Sequence, residues 1–108
     1  MASDPRAEYD AVTAEIVATS PAISGKMFGM PCLKHNGKAF AGFYEGAMAF
    51  KLKPPRHTEA LALPGARLFD PSGRGHPMKE WVEVPAEHAS MWLELAREAL
   101  HYVDETRS

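Results

Sequence analysis

The sequence predicts an α+β domain in two layers, an antiparallel sheet with helices packed on one face. Two observations carry that reading. The dipeptides Asn36-Gly37 and Glu45-Gly46 cut the stretch from Gly25 to Leu52 into three short strands, because two-residue hairpin turns need positive φ and favour such pairs. Apolar residues at helical spacing lie on both sides of that stretch, near each end of the chain. The order is then helix, three-strand meander, short helix, one or two strands, long helix. It buries every apolar stripe if the helices share one face of the sheet.

The 108 residues fit one domain with a modest core. Residues 1–24 hold the first helix. Asp4-Pro5 is a start signal, Tyr9, Val12, Thr13 and Ile16 form the apolar stripe, and Ser20-Pro21 ends it. The stripe is short and its polar side is not basic, so it reads as packing on the core rather than on a membrane surface or a partner.

Residues 25–52 form the meander. With two-residue loops, His35 opposes Lys38, Leu33 opposes Phe40 and Met30 opposes Phe43 across the first turn. Across the second, Tyr44 opposes Ala47, Phe43 opposes Met48 and Ala41 opposes Phe50. One face then collects Phe28, Met30, Cys32, Ala39, Ala41, Phe43, Met48, Phe50 and Leu52, and is the expected core. The opposite face is mixed and carries Leu33, Phe40 and Tyr44. Pro31 has no donor for a ladder, so the first strand reads as an edge or as bulged there; a bulge would move Phe28 and Met30 to the other face.

Residues 53–84 hold a short helix after Pro54-Pro55, a brief strand at Arg67-Leu68-Phe69, an exposed loop over 70–77 and a strand from Met78 to Val84. In that last strand Val82 and Val84 face the helices and Trp81 the other way. Residues 85–104 form the long helix, with Trp92, Leu95, Ala96, Ala99 and Val103 as its stripe.

No catalytic set emerges. None of the five histidines stands at i, i+4 from another, and His57-Thr58-Glu59 lacks the downstream cysteine pair that a zinc deaminase needs. No metal and no cofactor is expected. Cys32, the single cysteine, reads as a small buried hydrophobe, and the lack of a partner thiol favours a reducing compartment. No basic-then-apolar leader and no apolar run of roughly 18 residues is present, so a cytoplasmic chain without a membrane span is expected. The net charge of −2 argues against a nucleic-acid binder, which needs a basic face to neutralise phosphates.

The large apolar residues of the mixed face, Leu33, Phe40 and Tyr44 with Trp81, mark the candidate interface, because such a cluster on an open sheet usually associates. A homodimer or a protein partner is expected there, unless the 70–77 loop folds over the cluster. The candidate anion or nucleic-acid contacts are Lys38, Lys51, Lys53, Arg56 and Arg74. Arg74 lies in a Gly-Arg-Gly loop whose backbone amides could hold an anion.

The segments Met27-Phe28-Gly29-Met30-Pro31-Cys32-Leu33, Asn36-Gly37-Lys38, Phe50-Lys51-Leu52 and Met78-Lys79-Glu80-Trp81-Val82-Glu83-Val84-Pro85 together resemble the TfoX/Sxy N-terminal domain-like family. The resemblance spans about Met27 to Tyr102. It implies a small α+β fold of the secretion-chaperone-like type and a link to regulation of natural competence, and it supplies no catalytic residues. The longer members carry a C-terminal domain that these 108 residues do not include. The expected function is a noncatalytic regulatory or protein-interaction module. A nucleic-acid-binding transcription-related protein is the alternative, and a small enzyme using Cys32 or His57 the third reading.

Overall fold

Three two-residue turns organise the sheet. In the computed structural model, which describes residues 4–71, 73, 75 and 77–105, Phe28-Gly29, Asn36-Gly37 and Glu45-Gly46 all hold both members at positive φ. That geometry matches the right-handed twist of the strands it joins. The meander therefore has four strands: β1 (Ile23–Met27), β2 (Met30–His35), β3 (Lys38–Tyr44) and β4 (Ala47–Lys51). Phe28 is the surprise. At φ 51 it occupies a region that costs a bulky L-residue roughly 1–2 kcal/mol, which is why its turn and the strand before it were not expected.

Two further strands, β5 (Arg67–Phe69) and β6 (Met78–Pro85), complete an antiparallel sheet of order β1-β2-β3-β4-β6-β5. One edge strand is β1; Pro31 sits one strand in, on β2, opposite Lys26. The β2–β3 ladder runs only from His35 to Cys32, opposite Gly42. It stops where Pro31 would have to donate.

The helices lie on one face. Helix α1 (Pro5–Thr19) starts at the expected proline, although Asp4 makes no side-chain cap bond, and it buries Tyr9, Val12 and Ile16. Helix α2 (Arg56–Leu61) buries Ala60. The long final helix proves to be two pieces, a 3-10 segment Ala86–Met91 broken at His88 and α3 (Trp92–Glu105), which buries the expected stripe from Trp92 to Val103.

The pairing across Glu45-Gly46 is as read from sequence, and so is His35 with Lys38. Between them it shifts. Leu33 faces Ala41 and Lys34 faces Ala39, so Phe40 is an extra residue and the bulge lies on β3 rather than at Pro31. The shift exchanges the faces of β2. Leu33, Phe40, Ala41, Met48, Phe50, Val82 and Val84 pack under the helices in the main core. Met30, Ala49, Phe69 and Trp81 form a smaller cluster on the outer face, flanked by Met27, Ala39, Tyr44 and Met78. Leu33 and Phe40 are both fully buried, so the expectation that they stand on an open face is corrected. Phe28, expected in the core, is 69% exposed at its turn.

His35 ends β2 under the helices. Its Nε2 lies 3.0 Å from Oδ1 of Asp104 on α3, tying the last turn of that helix to the sheet.

These placements separate two aromatic positions by stability. Phe40→Ala should destabilise the fold by about 3–5 kcal/mol, the cost of an emptied aromatic core site. Phe28→Gly should leave stability unchanged or raise it by up to about 1 kcal/mol, by relieving the left-handed backbone. Urea denaturation of both variants checks the face assignment.

Candidate interaction surface

The outer face is built from residues two apart along each strand. On β1 these are Ile23, Gly25 and Met27, opposite Lys34, Cys32 and Met30 of β2. Next come Gly42 and Tyr44 on β3, then Ala49 on β4 and Trp81 on β6. Gly42 has a packing reason. A Cβ there would fall 2.4 Å from Cε of Met30 and 3.2 Å from the Pro31 carbonyl oxygen, so the Met30 side chain lies flat over it.

Two of the four expected interface residues, Tyr44 and Trp81, do lie on this face, but they do not stand proud. Phe69 of β5 bridges them, with ring centroids 5.5 Å from Tyr44 and 6.0 Å from Trp81. The Tyr44 hydroxyl donates to the Pro71 carbonyl at 3.4 Å. Trp81 is left 6% exposed. Residues at the start of the 70–77 loop therefore partly cover this cluster.

The exposed apolar groups are elsewhere. Val17 on α1 is 43% exposed, and the two most exposed, Ile23 at 61% and Phe28 at 69%, both lie at the β1 end of the sheet. Sequence reasoning missed them because β1, Ile-Ser-Gly-Lys-Met, has weak strand propensity and Phe-Gly is a poor turn pair. One signal was available. No Asp or Glu occurs from Ile16 to Tyr44, while Lys26, Lys34 and Lys38 all do.

The basic run after β4 is spent internally. Lys51 reaches Glu80 at 3.8 Å, Lys53 pairs with Glu105, and Arg56 meets Glu59, Glu94 and Glu98. Three of the expected nucleic-acid contacts are thus already facing carboxylates. Lys38, at the Asn36-Gly37 turn, also has an interaction of its own. Arg74 lies outside the described residues. The amides of Gly73 and Gly75 donate to the two carboxylate oxygens of Asp70 at 3.1 and 3.0 Å. Any anion would have to displace that carboxylate.

Three histidines are engaged with neighbours: His35 with Asp104, His57 Nε2 with the Lys79 carbonyl at 2.8 Å and His88 Nε2 with the Pro64 carbonyl at 2.9 Å. Among the described residues no group of three or more His, Cys, Asp or Glu is placed to hold a metal ion, and no helix is long and apolar enough to cross a membrane. An open cleft of about 510 Å³ lies between Tyr44, Glu45, Arg67 and Asp70. Its one described cation, Arg67, is paired with Glu83 at 3.1 Å.

Comparison with protein-family models, with curated proteins and with solved structures finds no match.

Cys32 is fully buried on the outer face. Desolvation pushes its thiol pKa up, with the Lys34 ammonium acting weakly the other way. A buried, protonated thiol is a poor nucleophile. Iodoacetamide at neutral pH should therefore leave Cys32 unmodified in the native protein and label it promptly in denaturant; fast native labelling would contradict this placement.

Proposed function

We propose that this chain is a noncatalytic interaction module whose working surface is the β1 end of the sheet, continuing onto the outer face. The observation that carries the reading is Phe28. It stands at a left-handed backbone position where glycine would be more stable, and most of its ring faces water. Nothing in the fold requires an aromatic there. The half-buried Met27 adjoins Phe28 and the exposed Ile23 stands at the other end of the same strand, so apolar groups of the kind that association covers are strung along β1. The resemblance to the TfoX/Sxy N-terminal domain supports a regulatory role for such a module.

The original interface of Leu33, Phe40, Tyr44 and Trp81 is replaced in this reading by Ile23, Met27 and Phe28, with Tyr44 and Trp81 behind them. A homodimer is the first form of association to test. Nucleic-acid binding is less well supported, since Lys51, Lys53 and Arg56 already face carboxylates.

Light scattering at micromolar concentration should give twice the mass of one chain, and Phe28→Gly should return it to one chain mass without lowering the urea midpoint. A monomeric wild-type protein that also captures no protein partner would count against the module reading.

A further inference from the structure

The strand that carries Ile23 and Met27 is also a sheet edge. In a two-residue hairpin the residues flanking the turn, here Met27 and Met30, exchange both backbone bonds. Alternation then turns the N–H and C=O of Ser24 and Lys26 away from β2, toward solvent. Lys26 and Pro31 form a non-hydrogen-bonded pair, so the N–H that Pro31 lacks falls on the β3 side and does not bear on this edge. Among the described residues, the free side of β1 is thus a row of unpaired backbone groups of the kind that accepts an added strand.

Charge says what kind of strand. Gly25 has no side chain, and the Lys34 side chain from β2 lies across the vacant position. A Cβ built on Gly25 would stand 3.5 Å from Cδ and Cε of Lys34 and 3.9 Å from its Nζ. The outer face of the edge therefore has an ammonium close above its centre. On the opposite face Lys26 is exposed. Neither lysine has a carboxylate partner among the described residues, and the acid-free stretch from Ile16 to Tyr44 provides none from nearby in sequence. Elsewhere Lys51, Lys53, Arg56, Arg67 and Arg97 all meet one.

We propose that the β1 edge binds an extended acidic segment of another protein by strand addition. The segment would set carboxylates against Lys34 and Lys26 and apolar side chains against Ile23 and Met27. A second copy is a poor occupant of the edge itself, because it brings the same two lysines. In antiparallel register the matching core is Val-Glu-Glu-Thr-Val: valines face Met27 and Ile23, and the two glutamates face Lys26 and, above Gly25, Lys34. The proposal rests on the interaction-module reading but is separable from it.

The test is fluorescence anisotropy with a short fluorescein-labelled peptide carrying that core, a matched peptide with Lys-Lys for Glu-Glu, and a labelled thymidine homopolymer. The acidic peptide should bind, and binding should weaken as salt is raised. Ser24→Pro removes an outward donor without touching the β2 ladder and should weaken binding at least about fivefold. The double variant Lys26→Glu, Lys34→Glu should lose about tenfold for the acidic peptide and gain the lysine peptide. Circular dichroism confirms that each variant is folded, and the charge variant decides the matter if Ser24→Pro is not. Equal binding of both peptides, no binding of the acidic one, or binding that survives both variants overturns the edge proposal. Binding of the homopolymer in preference assigns the surface to nucleic acid and overturns it as well. If the acidic peptide fails while Phe28-dependent association holds, only the edge proposal falls; if both fail, the module reading falls with it.

Discussion

One extra residue decides which side of this sheet is inside. Phe40 and Ala41 together stand opposite Leu33, and both point under the helices. Without the bulge, a strand that buries Phe43 and Ala41 would turn Phe40 to the outer face and leave β2 facing the wrong way. With it, β2 delivers Leu33 and His35 to the helix side, where His35 reaches Asp104. The same shift puts Met30 and Cys32 on the outer face and lays the end of the Met30 side chain over Gly42, where a Cβ would have to push it aside. The main core, the smaller outer cluster and the anchoring of α3 all follow from that one irregularity.

The electrostatics divide the molecule in the same sense. Glutamates of α3 and β6 take up the lysines and arginine that follow β4, and Glu15 of α1 meets Arg97 of α3. These are mostly exposed pairs, individually worth little to stability, but they leave that end of the molecule locally balanced. At the β1–β2 end Lys26 and Lys34 have no such balance among the described residues. A net charge of −2 conceals this contrast, because it averages a lysine-bearing hairpin with an acid-rich remainder.

The chain's helices and turns were legible because their signals are local. Asp4-Pro5, Ser20-Pro21, Asn36-Gly37, Glu45-Gly46 and the Trp92–Val103 stripe each state their structure within a few residues. The bulge was not legible, because nothing in Phe40-Ala41 distinguishes an extra residue from a paired one; its cause is the joint fit of Leu33 and Phe40 beneath the helices. One apolar face was indeed recognised, but half of it was assigned to the wrong strand register. Strand β1 was hidden for a different reason: its turn uses Phe28, a residue that turn chemistry disfavours. The positions most useful for function were thus those where local preference is violated.

The two edges of the sheet are unequal. One is β5, three residues long and running straight into the segment that Asp70 folds back on itself. The other is β1, five residues long, its outward backbone groups unpaired among the described residues. A sheet with two open edges can be extended from either side and so propagate into a fibre; a sheet with one can be extended once. Strand β1 is the longer edge, so a strand added there as proposed would have five residues to pair with, against three on β5.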